Sequence, residues 1–367
     1  MGFDPDRPLR HKVLDNALVL SFGGGKNRSV SRPAGVFDAL GHYEPLAQCW
    51  RDSQSHTTAI TKIPPPDQSI ETLSGTWLFG GMLYAHFGHF LCESTARLWG
   101  LDLPGLTFDG VIFHPKARLP RMSRLINPTR PWLAVAGCTL PVAAPPDPVR
   151  VQRLVVPEQG FGTGDMVAGR PEYRDFIRRR FGAAIPAEGS EKLYISRSRL
   201  YSKRGRILAE TFLETALAAE GYEIFHPQEH PIEVQIARYK AARTVISTDC
   251  SALHLAALFA RATDHVAILA RRPGPTIDDF RAQYRIFCGL KPVMISHLTA
   301  LHSLDDAKLA QMSEVYAEVD FPLLRQSLID SGFIKGVAWA MPSRADVQAE
   351  LAIYGERQGQ GVQELSL

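Results

Sequence analysis

Short apolar runs alternate with amphipathic segments along this chain, and the alternation is most regular in the second half. Four apolar runs there have the length of buried strands: Lys192–Ser196, Tyr222–His226, Thr244–Ser247 and His265–Ala270. Three segments with helical periodicity separate them: Ile207–Glu220, Pro231–Ala242 and Asp249–Ala260. Strands and helices that alternate over short links predict a parallel, doubly wound α/β sheet.

The first half shows the same alternation less regularly. Its predicted strands are Ala17–Phe22, Thr76–Phe79, Asp109–His114 and Val149–Val156. Its predicted helices are Gly81–Trp99, Leu119–Ile126, Trp132–Gly137 and Arg174–Arg180. The glycine run Gly23–Gly25 before Lys26 lacks the spacing of a phosphate-binding loop, so it predicts a turn. The whole pattern favours an α/β layer architecture.

The segment Gly81–Trp99 carries the most informative polar pattern. Its residues His86, His89, Glu93 and Arg97 follow one another at steps of three, four and four, so a helix places them on one face. The segment has no solvated lysine and glutamate face, which predicts burial. Because buried charges need partners, the four side chains either satisfy one another as an internal network or line a cleft. We adopt the second interpretation, in which they form half of an active site.

The loops that follow parallel strands emerge at one edge of a sheet, where such folds bind ligands. The loop after the first of these strands is basic. Its candidate ligands for a diphosphate are Arg197, Lys203, Arg204 and Arg206. The segment Asp249–Ser251 opens a helix, and free amides at its terminus favour an anion beside Ser251. The alternative for the basic loop is a solvated surface, and RNA binding is disfavoured because only Tyr201 offers an aromatic platform.

Two further residues at this edge leave alternatives open. His254 lies three residues after Ser251, so it is either a satisfied core histidine or a ligand for the substrate. Asp249 is either the N-cap of the helix or a carboxylate that contacts a sugar hydroxyl or acts as a base.

The remainder of the chain predicts these elements: a helix at Thr276–Cys288, a strand at Pro292–Ser296 and helical segments at Ser303–Glu318, Pro322–Gly332 and Ser343–Tyr354. Helices after the last strand lead us to expect that this part packs back on the first domain. We therefore expect an N-terminal α/β domain over residues 1–170, a sheet domain over residues 190–300 and a C-terminal helical segment over residues 301–367.

Composition narrows the functional class. A chain of 367 residues with 45% hydrophobic and 22% charged residues is typical of a globular protein with two domains. A net charge of +3 is too small to indicate bulk binding of nucleic acid. Five scattered cysteines without a C-x-x-C pair indicate neither a disulfide framework nor a zinc site, so we expect no metal. Without a leader-like or spanning apolar run we expect a cytoplasmic protein, with contact at the inner face of the membrane left open.

Three blocks stand out by their order and spacing over about residues 80–300: HFGHFLCESTARLWGL, YISRSRLYSKRGRILAE and the stretch from GYEIFHPQEH to DCSALHLAALF. Together they resemble glycosyltransferase family 61, the group that includes bacterial capsular and exopolysaccharide transferases. The first block is similar to the family's H-x-x-H-F-[LI]-x-E-x-x-x-R-L helix, and the second to its Y-I-S-R block. The chain departs from the family pattern at Ala209, Asp249, Cys250 and Leu255, which leaves room for an altered donor.

The resemblance implies a GT-B arrangement, in which two Rossmann-like domains face each other across a cleft and the donor binds mostly to the C-terminal one. It also implies inversion at the anomeric carbon without an essential metal. We therefore expect no cofactor beyond a nucleotide-sugar co-substrate such as a UDP-sugar. The expected acceptor is a glycan or a lipid-linked glycan in the synthesis of a capsular or extracellular polysaccharide.

Inversion in a single displacement needs one base on the acceptor hydroxyl. The candidate bases are Glu93, His89 and, as their rival, Asp249. Arg97 or His86 would orient the base and adjust its proton affinity. By resemblance, Arg197 and Arg206 are the first candidates to bind the diphosphate.

Two other functions are consistent with the residues. A dinucleotide-dependent oxidoreductase fits the parallel sheet, although no G-x-G-x-x-G follows any predicted strand. A non-catalytic relative that binds nucleotides or carbohydrates fits the departures at Cys250 and Leu255.

Overall fold

A computed structural model of the chain divides into two compact units, Met1–Ala184 and Ile185–Leu367. The structure describes residues 4, 6–21, 32–60, 63, 69–116, 123–200, 204–274, 276–303, 314–337, 339–358 and 361–365. The predicted turn at Gly23–Gly25 and the candidate ligand Lys203 lie outside the described residues.

The strands of the first unit are β1 (His11–Leu20), β2 (Arg32–Pro33), β3 (Gly35–Phe37), β4 (Thr58–Ala59), β5 (Glu71–Leu83), β6 (Gly110–Pro115), β7 (Val142–Ala143) and β8 (Val149–Pro157). One sheet has the order β3-β1-β8-β5-β6-β7, and β2 pairs with β4. Strands β5 to β8 are parallel, whereas β1 is antiparallel to β3 and β8. The prediction of an α/β layer is confirmed, and each of the four predicted strands overlaps a strand of this sheet.

The helical segments of the first unit are 3-10 turns at Pro45–Ala47, Leu98–Asp102 and Gly164–Ala168, a π-helical turn at Phe90–Ser94, and helices α1 (Phe87–His89), α2 (Ser123–Val135) and α3 (Pro171–Arg180). In its described part, α2 joins what the sequence predicted as two helices and continues through Pro128 and Pro131. Helix α3 begins at a proline, where a missing backbone amide leaves no hydrogen bond unmade.

The prediction of a helix over Gly81–Trp99 is wrong at its start, because the first three residues belong to strand β5. Strand β5 continues to Leu83, where it still pairs with β6, and Gly81 has a left-handed φ of +88°. Helical structure begins at Phe87 and its π-helical turn ends at Ser94. The Ser94 hydroxyl donates to the carbonyl of Met82 at 2.8 Å and accepts the amide of Tyr84 at 3.0 Å, so the turn is tied to the strand end. The four predicted polar residues therefore do not share one continuous helix face.

The second unit contains the parallel sheet that the sequence predicted. Its strands are β9 (Lys192–Ile195), β10 (Glu223–Phe225), β11 (Thr244–Thr248), β12 (His265–Leu269) and β13 (Val293–Ile295). Their order is β10-β9-β11-β12-β13, with every pair parallel. The helices between them are α4 (Glu210–Ala219), α5 (Ile232–Ala241), α6 (Ala252–Ala256) and α7 (Thr276–Cys288), and a 3-10 turn covers Pro227–Glu229. This sheet is compatible with a Rossmann-like fold.

The strand order reverses between β9 and β11, since the chain leaves β9 toward β10 and returns on its other side. Open α/β sheets bind ligands at the carboxyl ends of strands beside such a reversal. The loops after β9 and β11 begin there, followed by the loop after β12 one strand further along.

The C-terminal part belongs to the second unit and is only partly helical. Its elements are β14 (Leu298–Ser303), β15 (Tyr316–Val319), α8 (Phe321–Asp330), α9 (Arg344–Gln358) and β16 (Gln363–Leu365). The predicted helix Ser303–Glu318 is wrong at Tyr316, where β15 pairs with β14. The expectation that this part packs back on the first domain stays a prediction. In α8, Leu324 and Leu328 join a core cluster with Leu213 and Ile246 of the second unit.

Within the described ranges, no helix combines the length and the apolar composition that crossing a bilayer requires.

A histidine ring in the core of the first unit has no hydrogen-bond partner among the described residues. His114 on β6 is fully buried, and its ring packs edge-on against Phe79 at a centroid distance of 5.0 Å. Neither ring nitrogen has a hydrogen-bond partner among the described residues. Burial and the nearby charge of Arg97 lower the pKa of His114 to about 3.

We expect this histidine to make the protein sensitive to acid. In the unfolded chain His114 takes up a proton near its ordinary pKa of 6.5, whereas the folded state resists protonation until about 3. Stability should therefore fall by about 1.4 kcal/mol per pH unit as the pH drops through this window. His114→Leu should flatten the curve of unfolding free energy against pH, measured by urea denaturation from pH 7 to pH 4.

The matched control is His42→Leu, because His42 is exposed. That variant should keep the steeper acid dependence of the parent protein. Equal slopes for His114→Leu and the parent would contradict the prediction.

Candidate active site

The first unit brings a histidine and a glutamate into direct contact just after β5. The π-helical turn places Glu93 four residues after His89, with His89 Nδ1 2.6 Å from Glu93 Oε1. The Glu93 side chain is 3% exposed, whereas that of His89 is 33% exposed. The carboxylate therefore lies behind the ring, and the ring reaches the surface.

Three further side chains surround this pair, and we call the five residues the His–Glu cluster: Arg51, Tyr84, His86, His89 and Glu93. Arg51 Nε lies 3.6 Å from Glu93 Oε1. The ring centroids of Tyr84 and His86 lie 5.1 and 5.0 Å from that of His89. Burial first, and the charge of Glu93 second, raise the pKa of Tyr84, so this hydroxyl stays protonated.

This geometry equips His89 for proton transfer. With Glu93 ionised, Nδ1 carries the proton and donates to the carboxylate, which leaves Nε2 as the acceptor nitrogen. The carboxylate also stabilises the ring after it has taken up a second proton. The sequence singled out His86, His89 and Glu93. It missed Arg51, which lies outside the predicted helix, and Tyr84, which lies within that helix but away from its predicted polar face.

Arg97 does not belong to the His–Glu cluster. Its side chain is 1% exposed, and its guanidinium donates to the carbonyls of Leu46 and Gln48 at 2.7 Å each and to that of Pro157. It also lies 5.3 Å from the ring centroid of Phe79. The expectation that Arg97 orients the base is corrected: the helix ends before it, and its donors bind backbone carbonyls.

In the second unit, arginines organise the loop after β9. Arg197 donates through Nε and Nη2 to the carbonyl of Gly205, at 3.0 and 2.8 Å. Arg206 donates to the carbonyls of Ser198 and Leu200, the latter at 2.8 Å. Both predicted ligands thus hold the two ends of their own loop together, and Arg204 is half-buried in the same loop.

A buried carboxylate holds this loop against helix α4. Glu210 Oε1 accepts the backbone amide of Arg197 at 3.0 Å and the hydroxyl of Tyr194 at 2.7 Å. Burial raises the pKa of Glu210, and the bonds from Arg197 and Tyr194 partly oppose this shift.

Asp249 is fully engaged with two arginines that the sequence analysis did not select. Its Oδ1 lies 3.1 Å from Arg271 Nε and 3.2 Å from Arg272 Nε, and its Oδ2 accepts the amide of Arg271 at 3.2 Å. Asp249 is 1% exposed. It binds these arginines instead of capping a helix. The available signal was the pair Arg271-Arg272 directly after a strand, at the edge already assigned to ligands.

Helix α6 gives less support for a ligand-binding site than the sequence suggested. It has five residues, and the side chain of its N-cap Ser251 makes no capping hydrogen bond. His254 is 8% exposed, its Nδ1 lies 2.7 Å from Gln283 Oε1, and Gln283 donates back to the His254 carbonyl at 3.0 Å. This reciprocal pair supports the interpretation of His254 as a satisfied core histidine.

The comparison with known families fits this arrangement. The family described as Glycosyltransferase 61 matches residues 87–266. The chain carries a glycosyltransferase family 61 domain. As a glycosyltransferase it moves a sugar from a donor to an acceptor. No curated relative matches the chain.

The family match includes His89 and Glu93 of the His–Glu cluster and the loop after β9, but it ends inside β12. Arg271 and Arg272 lie beyond it. The matched segment of the glycosyltransferase therefore does not contain all the charges at the edge of its second sheet.

We expect Arg97→Met to lower the unfolding free energy of the glycosyltransferase by about 3–5 kcal/mol, because three buried carbonyls lose their donor. Urea denaturation measures the change. The control is Arg10→Met, which removes an exposed ion pair with Glu158 and should cost less than about 1 kcal/mol. Equal effects of the two substitutions would refute the bracing role of Arg97.

Gly205→Ala tests the loop after β9. A Cβ at this position would lie 2.0 Å from the backbone oxygen of Val315, so the loop must move, together with the carbonyl that binds Arg197. We expect a loss of about 1–3 kcal/mol in unfolding free energy. Gly361→Ala is the control, since a Cβ there meets nothing within 4 Å. A Gly205→Ala protein as stable as the parent would show that the close approach is unimportant.

Proposed function

We propose that the protein is an inverting glycosyltransferase that uses a nucleotide-diphosphate sugar, with His89 as the base and Glu93 as the residue that positions it. The observation that carries the proposal is the 2.6 Å contact between His89 Nδ1 and Glu93 Oε1. It supports a ring whose other nitrogen accepts a proton from an acceptor hydroxyl.

Exposure supports His89 over the two carboxylates that the sequence left as alternatives. Glu93 is nearly inaccessible, and its Oε1 already contacts His89 and Arg51. Asp249 is bound by Arg271 and Arg272. A base must reach the hydroxyl that it deprotonates, and of the three side chains only that of His89 is substantially exposed.

The proposed reaction is a single displacement. The acceptor hydroxyl passes its proton to His89 Nε2 while its oxygen forms a bond to the anomeric carbon. The bond from this carbon to the diphosphate oxygen breaks, and its electron pair leaves with the diphosphate. Guanidinium groups at the carboxyl edge of the second sheet, including that of Arg197, offset the charge that develops on this leaving group. The configuration at the anomeric carbon is inverted.

The wider role follows the resemblance of the sequence. We propose a GT-B arrangement, with a UDP-sugar as the donor. The acceptor is a glycan or a lipid-linked glycan in the synthesis of a capsular or extracellular polysaccharide. Five free cysteines support an action in the reducing cytoplasm.

We expect His89→Gln to lower kcat by about 10²–10⁴-fold, the usual contribution of a general base. Glu93→Gln should lower kcat less, by about 10–100-fold, because the ring stays in place but loses its charge partner. The KM for the donor and the melting temperature should change little in both variants. The assay follows release of nucleoside diphosphate from a panel of UDP- and GDP-sugars, with NMR of the product to read the anomeric configuration.

The control pair is His42→Gln and Asp38→Asn. These residues have the same spacing of four, with His42 Nδ1 3.2 Å from Asp38 Oδ2, but they lie at the surface. Their substitution should leave kcat unchanged. Parental turnover in both His89→Gln and Glu93→Gln would show that the base assignment is wrong.

A further inference from the structure

Two arginines bind a single carboxylate at the carboxyl ends of β11 and β12, and a third arginine follows β9. Asp249 follows β11 directly, and its amide donates to the carbonyl of Leu269, the last residue of β12. Arg271 and Arg272 both reach Asp249 Oδ1. Arg197 follows β9 on the other side of β11, and its charge contributes to lowering the pKa of Arg271. We call Arg197, Asp249, Arg271 and Arg272 the arginine cluster.

The arginine cluster has more positive than negative charge. Asp249 is its carboxylate, and two further carboxylates, those of Glu210 and Glu214, lie beside the loop after β9. Glu210 spends its bonds on a backbone amide and a tyrosine hydroxyl, and burial raises its pKa. Among the described residues, Asp249 is the carboxylate in ion-pair contact with Arg271 and Arg272, so two guanidinium charges share one carboxylate charge. An uncompensated charge at a buried site is costly unless a ligand supplies the counter-charge.

One nitrogen of the arginine cluster marks where that ligand binds. Arg271 is 2% exposed, and its Nε is occupied by the carboxylate and the backbone carbonyl of Asp249. Its Nη1 is buried and has no hydrogen-bond acceptor among the described residues. Buried donors of this kind are almost always paired in proteins, and a guanidinium pairs most strongly with a carboxylate or a phosphate.

The position of the arginine cluster indicates which anion it takes. It lies at the reversal of strand order between β9 and β11, where parallel α/β sheets bind their ligands. The enzyme moves a sugar, and in the proposed function that sugar leaves a diphosphate. A diphosphate provides two phosphoryl groups for the forks of adjacent guanidinium groups.

We propose that Arg271 and Arg272 bind the diphosphate of the donor, and that Asp249 is the positioning residue that holds their guanidinium groups in place. The assignment of a nucleotide donor rests on the proposed function, whereas binding of a diphosphate to the arginine cluster does not. Both arginines lie beyond the segment that matches the family, so they would extend the donor site past that segment.

Isothermal titration calorimetry on the full chain tests this proposal with UDP, UMP and inorganic pyrophosphate as probes. The parent protein should bind UDP and pyrophosphate and should bind UMP more weakly. Arg271→Met and Arg272→Met should each weaken UDP and pyrophosphate by at least tenfold, and UMP by a smaller factor. Asp249→Asn should weaken the same two probes, and its loss should be smaller in a background that already carries Arg271→Met.

The matched control is Arg243→Met. Arg243 pairs with Asp264 at 3.8 Å, just before the opposite ends of β11 and β12, so it repeats the arginine–aspartate pairing away from the proposed site. This variant should bind all three probes within twofold of the parent. Should Arg271→Met fail to fold, Arg271→Lys and Arg272→Gln serve in its place, since the first keeps the charge without the fork and Arg272 is partly exposed.

Unchanged affinity for pyrophosphate in folded Arg271 and Arg272 variants, or no pyrophosphate binding by the parent, would overturn this inference. If those variants still bind UDP normally and Arg197→Met does not, the inference fails while the proposed donor survives. If the parent binds pyrophosphate through Arg271 but turns over no nucleotide sugar, the proposed function fails and the arginine cluster remains an anion site.

Discussion

The candidate base site of the first unit depends on the hydrogen bonds that the guanidinium of Arg97 donates. It is almost fully buried and donates to the carbonyls of Leu46, Gln48 and Pro157. One side chain thus joins the segment before Arg51 and the end of β8 to the turn that carries His89 and Glu93. Because Arg51 follows this anchored segment, its guanidinium lies beside the Glu93 carboxylate. A buried cation with backbone partners therefore defines the walls of the candidate base site.

In the second unit, buried carboxylates hold the loops of the candidate site in place. Glu210 holds the loop after β9 by accepting hydrogen bonds from the backbone amide of Arg197 and from the hydroxyl of Tyr194. Asp249 joins the loops after β11 and β12 through Arg271 and Arg272. Each of these ions lost its hydration on folding, and such a cost is offset only when several hydrogen bonds replace the water. The bonds converge from separate loops, so they also restrict the positions that those loops can take.

The side chains that hold the two sites together differ from the side chains that can react or bind a ligand. Arg97 and Asp249 are nearly inaccessible, and backbone carbonyls or arginines already occupy their hydrogen-bonding atoms. His89 differs because one face contacts Glu93 and the other meets solvent. Arg271 differs in another way, since one buried nitrogen remains without an acceptor among the described residues. In both units the proposed chemistry thus uses a group that keeps hydrogen-bonding capacity after folding.

The sequence by itself determined the strands and helices of the second sheet and the edge at which its polar loops collect. Apolar runs bounded by turn residues are local features, and α7 runs over Thr276–Cys288 as the periodicity predicted. The spacing in the sequence also identified His89 and Glu93, because side chains four residues apart are neighbours on a helix. Only the tertiary structure decided that Arg97 leaves this group, since pairing of β5 with β6 keeps the chain extended to Leu83. The partner of a buried charge is supplied by distant segments, so no local pattern reports which charges become braces and which remain available for a ligand.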